Sequence, residues 1–110
     1  MLDRVAGQLT HYMDLLSARQ RLVASNIANA DTPGYRTQDI DFQQEFLNAS
    51  GGSPQVIEPS DLQVKNDGNN VSLDRESRLL AENALRFQLA TQLLKSQIRQ
   101  VRSAIEEGKA

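Results

Sequence analysis

The 110-residue sequence contains no cysteine, no tryptophan and a single histidine. Without cysteine there is no disulfide and no thiolate metal site, and one imidazole has no second with which to share a metal. His11, beside Tyr12 and Asp14, is therefore read as a surface or interface side chain. Aromatic residues make up 5% of the chain, so any core is built mainly from Leu, Ile, Val and Ala, a palette suited to helices packed along seams. No run approaches the ~20 apolar residues of a membrane-spanning helix. Met1-Leu2-Asp3-Arg4 does not open a basic and then apolar secretory signal, so neither a Sec signal nor direct membrane insertion is expected. Twelve basic against 14 acidic side chains, a net charge of −2, leave no positive excess to neutralise phosphates. Nucleic acid is not an expected partner.

Reactive constellations are missing too. Asp39 and Asp41 are the nearest approach to an acid–base pair, but no nucleophile, histidine or glycine-rich phosphate loop accompanies them. Turn capping and interface hydrogen bonding are the expected roles. Asp67-Gly68-Asn69-Asn70 has the composition of a calcium loop, yet the alternating ligands, sixth-position glycine and twelfth-position glutamate are out of register. It is read as a turn, and no enzyme, cofactor or metal is expected.

What is present is helical periodicity at both ends. From Leu2 to about Asn29 the apolar residues, Leu9, Leu16, Val23 and Ile27 among them, recur at helical spacing. Pro33 removes a backbone donor and Gly34 permits a left-handed turn, which ends the helix near Ala30. Asn26 and Asn29 lie three apart on one face at that end, where their amides can bond carbonyls that have no intrahelical partner. Between about Asp74 and Glu107, Leu80, Ala84, Phe87, Thr91, Leu94, Ile98, Val101 and Ile105 alternate spacings of four and three, a heptad seam. Leu79, Leu85, Ala90 and Leu93 widen its apolar face beyond what one partner helix covers. Ser72 or Asp74 is suited to cap the start of this helix, and Gly108 its exit.

The middle of the chain is read as a short extended stretch at Asp39-Ile40-Asp41-Phe42 running into a helical turn by Leu47. A breaker-rich linker follows, then two β-prone runs, Leu62 to Val64 and Val71 to Leu73, flanking Asp67-Gly68. The expected architecture is all-α: an antiparallel hairpin of two long terminal helices in one domain. Its parts are an N-terminal helix over 1–30, a turn and short segment over 31–48, a loop or small β-hairpin insert over 49–72, and a C-terminal helix over 73–108. One seam buries too little to offset the ordering of so long a helix, so neighbouring molecules are expected to complete the burial.

One segment is more specific than periodicity. Residues 22–36, Leu-Val-Ala-Ser-Asn-Ile-Ala-Asn-Ala-Asp-Thr-Pro-Gly-Tyr-Arg, followed by Asp39-Ile40-Asp41-Phe42, closely resemble the signature of flagellar basal-body rod proteins. Asn26, Asn29, Thr32, Pro33, Gly34, Tyr35, Asp39, Asp41 and Phe42 are the motif positions. Tyr35 and Phe42 are the bulky anchors, and the small residues Ala24, Ser25, Ala28 and Ala30 permit close backbone approach. The resemblance implies an axial structural subunit exported through the flagellar type III apparatus, without a cleaved signal, to assemble in the periplasm. It implies a hollow rod that transmits torque and surrounds the export channel, with copies of itself and other rod proteins as partners. An adaptor protein and the membrane ring at the rod base are the further partners implied. The assembly seam is then Leu9, Leu16, Val23, Ile27, Leu80, Ala84, Phe87, Leu94, Ile98, Val101 and Ile105. Residues 49–66 are shorter than in typical members. Another rod- or hook-class subunit, or a soluble helical adaptor or export chaperone, is the alternative reading.

Overall fold

The computed structural model describes residues 2–48 and 52–108. Among these residues three helices form: α1 over Leu2–Ala28, α2 over Phe42–Leu47 and α3 over Leu73–Gly108. Asn26 of α1 meets Glu76 of α3, and further along Leu16 and Gln20 meet Asn83. The two long helices are therefore antiparallel. Because α3 has 36 residues to the 27 of α1, its final turns run beyond the start of α1, and every described residue from Ile98 onward is exposed. The molecule is a rod of 70 × 26 × 17 Å.

Each helix end has a local cause. After Ala28 the chain closes tight turns, with Asn29 N–H donating to Ser25 O at 3.1 Å and Thr32 N–H to Asn29 O at 3.1 Å. Gly34 then takes φ +76°, and extended backbone leads to Asp41, whose carboxylate accepts from Gln44 N–H at 3.2 Å and so caps α2. α2 packs on α1 through rings: Tyr12 meets Phe42 and Phe46 edge-on at 5.4 and 5.7 Å, and His11 stacks on Phe46 at 5.9 Å. Of the two candidate caps for α3 it is Ser72 that serves, its Oγ accepting from Arg75 N–H at 3.2 Å.

The described part of the insert, residues 52–72, is a loop. Among the described residues the sole β-type pairing is an isolated antiparallel bridge between Asp39 and Ile57. The runs Leu62 to Val64 and Val71 to Leu73 do not pair with each other. The turn between them is tight, with Lys65 N–H bonded to Asn69 O and Gly68 N–H to Lys65 O, but beyond it Asn70 N–H turns away to Tyr35 O. Gly68 (φ +85°) lies against Gly34, whose N–H donates to Asp67 O at 2.9 Å. A Cβ on Gly68 would stand 3.4 Å from Gly34 Cα. Gly68→Ala is therefore expected to cost about 1–2 kcal/mol through its left-handed backbone, read as a lowered urea midpoint.

The rotation of α3 about its axis is the least obvious feature of the fold. Its buried residues are Glu76, Asn83 and Ala90, one heptad apart, with Leu79, Arg86, Leu94 and Gln97 half-buried beside them. This line faces α1, where Leu15, Leu16, Ala18 and Val23 are buried.

Candidate functional site

The closed end of the hairpin is held by polar side chains drawn from three parts of the chain. Asn26, fully buried, pairs with the backbone of Gln38 in both directions: its Nδ2 donates to Gln38 O at 2.8 Å and its Oδ1 accepts from Gln38 N–H at 3.0 Å. The same amide nitrogen donates to Glu76 Oε1 at 3.1 Å, and Tyr35 donates its hydroxyl to Asn26 Oδ1 at 3.3 Å. Arg75 then donates to Glu76 at 2.8 Å and to Asp39 at 2.5 Å, while Arg19 of α1 grips Asp39 with both oxygens engaged at 3.0 and 2.9 Å. A bidentate arginine on a nearly buried carboxylate is a strong and directional pairing. Arg19 also lies 5.9 Å from the centre of the Phe42 ring.

The end of α1 is sealed from the other side by the loop before α3. Asn69 Nδ2 donates to Asn29 O at 2.9 Å and Thr32 O at 2.8 Å, and Lys65 Nζ donates to Ala30 O at 3.0 Å. Asn29 O and Thr32 O also accept from the Thr32 and Tyr35 N–H groups, so the loop braces the carbonyls that follow the helix, and an ammonium there also opposes the negative end of the helix dipole. Asn29 completes the seal locally, its Nδ2 donating to Ser25 O at 2.8 Å, and Thr32 donates to Asn29 Oδ1 at 3.1 Å. Asn70 clasps buried Thr37, accepting from its N–H at 2.6 Å and its hydroxyl at 2.9 Å.

Burial pushes the Asp39 carboxyl up, but hydrogen bonds from Arg19 and the Ile40 N–H, the Arg19 charge and the Arg75 contact outweigh it, so its pKa falls below 3.8. A folded-state value depressed below the unfolded one gives stabilisation that is complete above the unfolded pKa and lost as pH falls through the folded one. Wild-type stability should thus carry an extra acid-limb slope beginning near about pH 4. Asp39→Asn should lack that slope, so the gap between the two urea-midpoint curves should narrow in acid.

The motif residues come together as a group. Asn26, Asn29, Thr32, Tyr35 and Asp39 share the network just described, Asp41 caps α2, Phe42 packs on Tyr12, and Pro33 and Gly34 stand exposed in the turn. The seam residues do not share one environment. Leu16 and Val23 are buried within the hairpin, and Leu9 and Leu94 are half-buried. Ile27, Leu80, Ala84, Phe87, Ile98, Val101 and Ile105 are exposed. On α3 these exposed residues form a strip along one flank of the contact with α1. Leu85, Leu89 and Leu93, four apart and 52–59% exposed, form a second strip. On the first flank, Leu16, Ser17 and Gln20 of α1 and Leu80, Ala84 and Phe87 of α3 line a shallow apolar groove.

Reading the sequence missed Arg19 and Lys65, and although it singled out Asn69 as part of a turn and Arg75 and Glu76 at the start of the last helix, it did not place them in this network. Their partners lie 20 to 50 residues away in most cases, so spacing carries no trace of them. Among the described residues, no helix is long and apolar enough to cross a membrane.

The family model described as flagella basal body rod protein matches residues 13–36, from mid-α1 through the sealed turn. The flagellar basal body rod protein FlgB of Yersinia ruckeri is 34% identical, with 98% of this chain and 100% of that protein aligned. Its counterparts in Salmonella typhimurium and Escherichia coli K12 are 33% and 31% identical, each aligned over 98% of this chain and 99% of the relative. A hairpin closed by its own polar groups and bearing bare apolar flanks is thus a rod protein of the flagellar basal body, a structural subunit and not an enzyme. Within that class, the chain belongs to the FlgB family. It assembles with other rod proteins in the basal body. Each of these alignments runs over 137 positions against the 110 residues of this chain, so these relatives carry additional residues.

Proposed function

We propose that this subunit builds the proximal part of the rod by laying the exposed flanks of α3 against copies of itself and other rod proteins, forming a hollow shaft that transmits torque around the export channel. The observation that carries this reading is the far end of α3, where Ile98, Val101 and Ile105 are 51%, 37% and 55% exposed as the helix runs past the start of α1. Exposed aliphatic side chains at helical spacing are the face a partner helix takes up. An adaptor protein and the membrane ring at the rod base are the further contacts of this reading. The chain reaches them through the flagellar type III export apparatus and assembles in the periplasm.

In this reading the motif residues Asn26, Asn29, Thr32, Pro33, Gly34, Tyr35, Asp39, Asp41 and Phe42 shape the closed end, and the bare seam positions make the assembly contacts. The free subunit keeps its closed end folded while the overhanging part of α3 exchanges rapidly. Electron cryo-microscopy of isolated basal bodies tests the location, with this chain expected at the base of the rod. Recovery from the cytosol alone, bound to an export client, would instead identify a chaperone, and density further along the axis would identify another rod or hook subunit.

A further inference from the structure

The innermost side chains of the closed end are polar: Asn26, Thr37, Asn69 and Glu76 have no exposed surface, and Asp39 has almost none. Glu76 is the costly member. Its Oε1 takes bonds from both Arg75 and Asn26, while its Oε2 is buried without a partner. Well-packed aliphatic side chains commonly serve stability as well as a buried ionic group or better, so stability is a poor reason for its presence. Uniqueness of alignment is what a buried polar group supplies and an aliphatic one does not.

The remaining contact between α1 and α3 specifies its own alignment weakly. On the inward line of α3, Asn83 reaches Leu16 O and Gln20 Oε1 only at 3.5 Å, and Ala90 makes no directional bond. A slide of one heptad brings Asn83 to the place of Glu76 and keeps Leu80, Phe87 and Leu94 on one apolar line. The polar contacts tolerate no such slide. Asn26 has to meet Glu76 and the backbone of Gln38 together, and Arg75 has to span Glu76 and Asp39 while Asp39 is held by Arg19. We infer that Asn26–Glu76, together with Arg19–Asp39–Arg75, is a register lock that sets how far α3 extends beyond α1. The lock acts through position alone and stands whether or not the proposed assembly contacts are correct.

The absence of cysteine makes the test direct. Nitroxide labels at Ala24→Cys and Gln100→Cys, both exposed and toward opposite ends of the hairpin, report axial slippage by double electron–electron resonance. The otherwise native chain should give one narrow distance. In the Asn26→Leu/Glu76→Leu/Arg75→Leu background, which removes the links of α3 to both Asn26 and Asp39 while Arg19 keeps Asp39, helical circular dichroism should persist while a second distance appears, displaced by about 10 Å for one heptad. A single unchanged distance in the helical triple variant would overturn the lock. So would loss of helicity in that variant, because the cluster would then be a stabiliser of the fold and not a selector of its alignment.

Discussion

Asp39→Asn is expected to destabilise the subunit by about 3–5 kcal/mol at neutral pH, which for a chain of this size lowers the melting temperature by roughly 12–20 °C. Asparagine keeps the volume of the side chain, and its carbonyl oxygen can still accept from Ile40 N–H, the bond that Asp39 makes at 2.8 Å. It brings no charge. Arg19 and Arg75, with side chains only 16% and 20% exposed, are then left at the same point without the carboxylate that both of them bond. Arg75 keeps Glu76 as a partner, so the charge left without any carboxylate is that of Arg19. The loss is therefore that of a nearly buried pair deprived of one partner. The exposed Glu82–Arg86 pair, whose side chains are 44% and 41% exposed, is the control: Glu82→Gln should cost under about 0.5 kcal/mol. Thermal melts of the three proteins separate the cases, and an Asp39→Asn melt within a few degrees of wild type would remove the network from the account of stability.

The lengths of the helices and the place where α1 stops are legible in the sequence because their causes are local. Periodicity marks the helices, and Pro33 with Gly34 ends the first of them. The rotation of α3 is not legible, and the reason is physical. Two lines of residues run side by side along this helix. Leu80, Phe87, Ile98 and Ile105 are the more hydrophobic, whereas Glu76, Asn83 and Ala90 are the ones that face α1. Hydrophobic periodicity finds the greasiest line, and in this chain that line lies on the flank and is left bare. The inward line reads as polar because what satisfies it is only partly local: Glu76 is bonded by its neighbour Arg75 and by distant Asn26, and Arg75 in turn bonds distant Asp39. The motif resemblance partly makes up for this. Its asparagines and Asp39 mark the cluster, while the basic and acidic residues completing it on α3 come from outside the motif.

Ile98→Asp is expected to abolish swimming while leaving the isolated subunit within about 0.5 kcal/mol of wild-type stability. The side chain is half exposed on the flank of α3, near the end that overhangs α1, so the hairpin loses little when it becomes charged. A neighbouring helix laid on that strip would have to bury the new carboxylate, whose nearby cations Lys95, Arg99 and Arg102 are themselves surface groups and offer it only weak, screened pairing. Leu94→Asp is a poorer probe, because Leu94 is half-buried on the line facing α1 and its loss damages subunit and assembly together. Leu89→Asp examines the other flank independently, being 52% exposed. Motility halos and basal-body preparations of Ile98→Asp and Leu89→Asp, set beside urea melts of the purified subunits, distinguish one used flank from two. If Ile98→Asp supports normal swimming, the strip containing it takes no part in the rod, and the burial that α3 lacks within the subunit has to come from the flank of Leu85, Leu89 and Leu93.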